Sequence, residues 1–148
     1  MKVVIGTDHA GFAYKTDLIE TIKTLDHSIT DVGTDGSESV DYPDFAEKVS
    51  NMVSSGQADI GILLCGSGIG MDIAANKVNG IRCASCWSVE TARLARTHNG
   101  ANVLSMGARL LPLERCIEIT KTFLSTPSTS EDRHLRRIEK IKKIEERN

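Results

Sequence analysis

The sequence has no excess of charge of either sign. Its 18 Lys and Arg stand against 20 Asp and Glu, a net charge of −2 at pH 7. The chain as a whole therefore carries no electrostatic footprint for nucleic acid or an anionic membrane surface. No apolar stretch approaches the ~20 residues that a bilayer-spanning helix needs. The N-terminus, MKVVIGTDHAG, offers a lone Lys2 and a short apolar run. That is too little for a secretory signal, so a cytoplasmic location is expected. Cysteine is sparse, confined to Cys65, Cys83, Cys86 and Cys116, and a cytoplasmic setting argues against disulfides. Cys83 and Cys86 form a CxxC, but no second Cys or His pair stands at zinc-binding spacing. The segment IRCASCWS reads as a strand, in which positions three apart face opposite ways. Cys83, Cys86 and Cys116 are read as ordinary buried cysteines, and no metal site is expected.

Internal repeats and a second domain are also absent. A chain of 148 residues buries roughly two-thirds of the surface its unfolded form exposes, enough for one domain over 1–148.

What is present is an alternation of strand and helix. KVVIGT (2–7) is a short apolar run ending in a turn, and Phe12, Leu18, Ile19, Ile22 and Leu25 then recur at helical spacing. A second strand is expected over 28–32, followed by the polar loop GTDGSESVDYP. Pro43 opens a helix through about Ser54. DIGILL (59–64) is the most uniformly apolar strand, leading through CGSGIG into a helical MDIAANK. A fourth strand covers 81–85, and Ser88 caps the helix SVETARLARTH. A fifth strand covers 101–105, and Pro112 starts a helix through about Leu124. Strands alternating with helices imply a parallel sheet covered on both faces: an α/β, Rossmann-like, three-layer sandwich with five parallel strands. The tail, about 131–147, is helical and dense in charge, with Leu135, Ile138, Ile141 and Ile144 on one stripe. That stripe calls for a surface to pack on, either the body of the fold or a partner subunit.

Ligands of open parallel sheets bind beyond the carboxyl ends of the strands. Asp8-His9-Ala10-Gly11 follows the first strand, Cys65-Gly66-Ser67-Gly68-Ile69-Gly70 the third, and Gly107-Ala108-Arg109 the fifth; His98-Asn99-Gly100 precedes the fifth. The glycine loop fails as a dinucleotide fingerprint, because Met71 stands where GxGxxG needs its last glycine and the loop follows the wrong strand. It also lacks the arginine six residues past the cysteine that a cysteine-phosphatase loop would carry. It remains open as a thiolate and oxyanion cradle: glycines let backbone N–H groups approach a ligand, and a helix beginning near Gly70 adds a positive dipole end. Such a setting lowers a cysteine pKa from its ordinary ~8.5. The plain alternative for Cys65 is a buried cysteine ending an apolar strand. His9 and His98 are each either acid–base groups or incidental loop histidines. Arg133 and Arg137, four apart, either clamp an anion or solvate a helix face. His27 and His134 have weaker claims.

Taken together, Asp8-His9-Ala10-Gly11, Asp41-Tyr42-Pro43, Cys65-Gly66-Ser67-Gly68, Ala74-Ala75-Asn76-Lys77, Gly80-Ile81-Arg82, His98-Asn99 and Arg133-His134-x-x-Arg137 resemble the type B ribose-5-phosphate isomerase family, which also includes allose- and galactose-6-phosphate isomerases. The resemblance spans essentially the whole chain. It implies a cofactor-free aldose–ketose isomerase acting on a small phosphorylated sugar. Cys65 would be the base at C2, and Ser67 with the N–H groups of Gly66, Gly68 and Gly70 would hold the enediolate. His98 with Asp8 would open the furanose ring, while Tyr42 and Asn99 would contact sugar hydroxyls. His9, Arg109, Arg133 and Arg137 would surround the phosphate. It further implies a homodimer with shared active sites, alone or paired into a tetramer, and no nucleic-acid or membrane partner.

Four positions depart from the family pattern. Ser67 stands for threonine, Asp72 for a serine, Gly100 for an aspartate, and Glu131-Asp132 for Gly-Gly. Asp72 is expected to add negative charge near the oxyanion cradle, and Glu131-Asp132 to set carboxylates beside the phosphate clamp. Some family members carry a glutamate base at the position of Met71, which leaves Cys65 to do that work here. Ribose 5-phosphate is the leading substrate, and allose or galactose 6-phosphate the alternatives. A non-catalytic phosphate- or nucleotide-sensing module is the reading from another class.

Overall fold

Val3, Val4 and Ile5, or Ile62, Leu63 and Leu64, have no polar residue between them, so both faces of these strands must be covered. The computed structural model, which describes residues 1–148, covers them with helices on each side. The elements are β1 (Lys2–Thr7), α1 (Phe12–Thr24), β2 (Ser28–Asp31), α2 (Tyr42–Ser54), β3 (Ile60–Cys65), α3 (Ile69–Ala75), β4 (Cys83–Ser85), α4 (Val89–Asn99), β5 (Val103–Gly107), α5 (Leu113–Ser125) and α6 (Asp132–Glu145). The sheet order is β2-β1-β3-β5-β4, and every pairing is parallel.

Alternation along each strand divides the core in two. Val3, Ile5, Ile62, Leu64, Leu104 and Met106 pack under α1, α4 and α5 with Leu18, Ile22, Ala92, Ile119 and Phe123. Val4, Leu63, Cys65 and Val103 face the other way, onto Ala46, Val49 and Met71 of α2 and α3. Each fully buried Leu, Ile, Val or Phe contributes roughly 1.5–3 kcal/mol by leaving water. Cys83 belongs to the second cluster and Cys86 to the first, so the two cysteines of the CxxC face opposite sides of the sheet.

Element ends depart from expectation for local reasons. β4 begins at Cys83, not at 81, because the Arg82 amide donates to the Asn102 side chain (2.8 Å) and the Cys83 amide to that of Asn76 (2.8 Å). Cys86 lies just past the strand. β3 runs on to Cys65, and β5 covers Val103–Gly107, not 101–105, matching the register of Gly61 with Val103 through Cys65 with Gly107. β2 ends at Asp31, one residue early. Pro112 stands just outside α5, whereas Pro43 lies inside the first turn of α2. Ser88 caps α4 as expected, in a reciprocal box with Thr91. The helix after the glycine loop stops at Ala75. The tail helix covers Asp132–Glu145, and its apolar stripe stays largely uncovered in the single chain: Leu135, Ile141 and Ile144 are 45–53% exposed.

The chain runs from β1 out to β2 and returns to β3 on the other side of β1. The carboxyl ends of β1 and β3 therefore flank a crevice at which the strand order reverses, where doubly wound sheets bind ligands.

Candidate active site

β1 delivers Asp8 and His9 to this crevice, and β3 delivers Cys65. The ladder between β3 and β5 continues beyond the strands, with the Ala108 amide donating to the Cys65 carbonyl (2.8 Å) and the Arg109 amide to that of Gly66 (3.0 Å). This extension brings Arg109 beside the glycine loop. The result is a cleft of about 430 Å³ lined by Asp8, His9, Tyr42, Cys65, Ser67 and Arg109, with Gly66, Gly70 and Leu110 between them.

Within the loop, Gly68 has φ +81°, a left-handed conformation that glycine adopts without steric cost. The turn aims its N–H at the Cys65 Sγ, 3.2 Å away. The buried Ser105 hydroxyl anchors the same residue from below by donating to the Gly68 carbonyl (2.7 Å). In the sequence Ser105 is signalled only by a lone hydroxyl at the end of the run ANVLS. The Ser67 Oγ accepts from the Ile69 amide (3.2 Å) and lies exposed at the cleft. Gly70 has no side chain because the Tyr42 ring lies there, and a Cβ would come 2.6 Å from its Cζ.

Asp8 is 4% exposed. Its Oδ1 accepts from the amides of Ala10 (2.9 Å) and Gly11 (3.1 Å), so the carboxylate shapes the turn that carries His9. The His9 Nδ1 accepts from the Val40 amide (3.1 Å). That bond leaves the proton of a neutral ring on Nε2, which is free to donate to an anion.

The other proposed site residues lie elsewhere in the chain. His98, Asn99, Arg133 and Arg137 do not line the Cys65 cleft, and His98 is not brought to Asp8. His98 lies in the last turn of α4 and stacks on His134 of α6, with ring centroids 4.3 Å apart. Asn99 faces a second cavity, of about 610 Å³, between the ends of α3, α4 and α6. The Arg133 Nε donates to Glu131 (3.0 Å), so one of the two expected carboxylates does stand beside the arginine pair.

Two of the remaining departures have structural explanations. The Asp72 carboxyl does not line the cleft; it neighbours Cys83 and Ser85, and its Oδ1 is buried without a hydrogen-bond partner. Burial raises its pKa. Gly100 closes α4 with φ +55°, a left-handed helix end. A Cβ there would meet the Ile138 Cδ1 at 3.1 Å, so glycine lets α6 lie close. Burial pushes the Cys86 and Cys116 thiols up to about 11 and that of Cys83 well above its ordinary value, where neighbouring Asp72 adds to the shift.

The family model described as Ribose/Galactose Isomerase matches residues 3–141. The chain belongs to the ribose/galactose isomerase family. The ribose-5-phosphate isomerase B of Escherichia coli (strain K12) is 40% identical, over 99% of this chain and 97% of its own. The type B ribose 5-phosphate isomerase structure from Trypanosoma cruzi superposes with a TM-score of 0.97, at 47% identity, over 100% of both chains. The ribose-5-phosphate isomerase B of Mycoplasma genitalium, solved with bound ribulose-5-phosphate, superposes at 0.94 with 38% identity, covering 99% of this chain and 97% of that one. As a member of this isomerase family, the protein is an aldose–ketose sugar-phosphate isomerase with the family's α/β fold.

Proposed function

We propose that the protein interconverts ribose 5-phosphate and ribulose 5-phosphate, with Cys65 as the base. The observation that carries this reading is the Cys65 Sγ under the Gly68 N–H in a cleft that also holds His9 and Arg109. In the aldose, the Cys65 thiolate takes the C2 proton, and the C–H electron pair becomes the C1=C2 bond of an enediolate whose charge rests on O1. The proton on O2 passes to O1, the thiol returns its proton to C1, and a carbonyl forms at C2. Nothing is oxidised or reduced overall, so the reaction needs one base, donors aimed at the developing oxyanion, and exclusion of water. Ser67 and the amides of Gly66, Gly68 and Gly70 are the donors. His9 and Arg109 bind the phosphate, whose remote binding energy holds the reacting carbons in place. Tyr42 contacts a sugar hydroxyl.

His98, Asn99, Arg133 and Arg137 enter this scheme from a second subunit, where His98 with Asp8 opens the furanose ring and Asn99 holds a hydroxyl. Two features support the shared site. The cleft is flanked by exposed apolar side chains, with Ile69 58%, Ile73 56%, Trp87 65% and Leu110 68% exposed, the kind of patch that marks an interface. The apolar stripe of α6 is likewise without a cover. The functional unit in this reading is a homodimer of single-domain chains, alone or paired into a tetramer, working in the cytoplasm.

The test is turnover on ribose 5-, allose 6- and galactose 6-phosphate after exhaustive dialysis against a chelator. Ribose 5-phosphate is expected to give the highest kcat/KM, undiminished by dialysis. A six-carbon substrate ahead of it would reassign the specificity, and inactivity restored by a divalent ion would remove the metal-free mechanism.

A further inference from the structure

A histidine that the proposed chemistry leaves unused lies directly beneath one that it uses. His134 is the buried residue of α6, 4% exposed, on a helix that otherwise lies open to solvent. Its ring stacks on the exposed His98 ring at 4.3 Å between centroids and 19° between planes. The His134 Nε2 is buried with no hydrogen-bond partner; its nearest counter-charge is the Glu131 Oε2 at 3.7 Å. A polar ring atom left unpaired in this way is costly. Leucine at the same place would fill the contact without that cost, so packing alone does not account for a histidine there.

We propose that His134 is a positioning residue for His98: its flat, buried ring is the surface that holds the His98 imidazole at the orientation in which it reaches the sugar ring. The inference rests on the proposed role of His98 in furanose opening. An exposed histidine on the last turn of a helix otherwise samples several χ1 and χ2 rotamers, and a general acid must lie within hydrogen-bond reach of the oxygen it serves. A parallel ring removes the alternatives while leaving both His98 nitrogens free. The platform is best uncharged. Burial lowers the His134 pKa, the neighbouring His98, Arg133 and Arg137 lower it further, and only Glu131 opposes them. A neutral ring accepts a protonated imidazole on its face, as other aromatic rings accept cations. A charged one would repel it. The same contact joins α6, which carries Arg133 and Arg137, to α4, which carries His98 and Asn99. The stack, together with the close approach of Ile138 to Gly100, therefore sets the spacing of the groups offered to the neighbouring site.

The position can be tested with His134→Ala, which removes the platform, and His134→Phe, which keeps a flat ring without a titratable group. Two reactions separate positioning from damage. Ribose 5-phosphate is mostly a closed furanose and needs ring opening. Ribulose 5-phosphate has its C5 hydroxyl esterified, cannot close to a furanose, and reaches the enediolate with no help from His98. His134→Ala is expected to lower kcat on ribose 5-phosphate roughly ten- to hundredfold, the scale of an ångström-level misplacement, with KM little changed. Deuterium uptake at C1 of ribulose 5-phosphate is expected to stay within about twofold of wild type, because general acid help at the ring oxygen plays no part in that step. His134→Phe is expected to recover most of the ribose turnover. Wild-type turnover in His134→Ala, a Phe variant no better than the Ala variant, or a parallel fall in turnover and exchange would each overturn the inference. A wild-type enzyme idle on ribose 5-phosphate would instead remove the substrate, a result distinguishable from all of these.

Discussion

The Cys65 cleft and the α4–α6 corner contrast in how they are built. At the cleft, backbone does the positioning: a left-handed Gly68, a ladder extended past β3 and β5, and a buried Ser105 beneath the loop hold the Sγ and its N–H donor at 3.2 Å. At the corner, long exposed side chains and a histidine stack do it, on a helix whose apolar stripe faces solvent. The Arg133–Glu131 pair is exposed on both sides, 60% and 62%, and such pairs contribute little. The proposed site of proton abstraction needs a precision of tenths of an ångström, and backbone supplies it. In the proposed scheme the arginines' phosphate grip tolerates more play, and His98 gets its precision from the ring beneath it.

Breaking the rigid side should have the larger consequence. Cys65→Ala removes the proposed base while keeping the Cβ in its core, so turnover should fall roughly 10²–10⁴-fold, the usual contribution of a general base, with the circular dichroism spectrum unchanged. Alkylation of the wild-type enzyme should label Cys65 ahead of Cys83, Cys86 and Cys116, whose raised pKa values keep them protonated. A phosphosugar should slow that labelling. Near-normal turnover in Cys65→Ala would require another base.

The open corner is probed by mixing. Cys65→Ala and Arg137→Ala subunits, each poor alone, should regain activity when unfolded and refolded together. A shared site puts both lesions in one site of a mixed dimer and neither in the other. Random pairing makes about half the dimers mixed, so roughly a quarter of full activity is the ceiling for a symmetric two-site dimer. Activity no higher than the mean of the two variants, with mixed dimers shown to form, would mean that each site is built from one chain.

The smallest effect belongs to Asp72, which lies between the two regions. Burial raises its pKa, so the folded state holds the proton more tightly than the unfolded chain does. Stability is therefore lost as pH rises from the ordinary carboxylate value, 3.8, through the raised one. Asp72→Ser should increase Tm at neutral pH, and the gain should shrink below about pH 4, with kcat little changed. A gain equal at all pH values would indicate that ionisation is not the cause.

Much of this was legible in the sequence because the signals are local. Short unbroken apolar runs such as VVI and ILL, bounded by turn residues, read as doubly covered strands, and Ser88, Pro43 and the glycines after Cys65 mark element ends by their own backbone preferences. The motifs DHAG, CGSG and HN with RHxxR were enough to suggest the family. What lay out of reach depended on neighbours distant in the chain. β4 is short because Asn76 and Asn102 claim its first amides. Asp72, one turn past the cradle, keeps its carboxyl out of the cleft and beside Cys83 and Ser85.

By itself the sequence determined the α/β alternation and the residue types for a phosphosugar isomerase, since periodicity, turn chemistry and motif spacing are properties of short segments. Only the tertiary structure decided that Asp8, His9, Cys65 and Arg109 share one cleft while His98 and the tail arginines do not. Only it laid His98 on His134. Strand order and helix packing join residues tens of positions apart, and no local pattern encodes which of them meet.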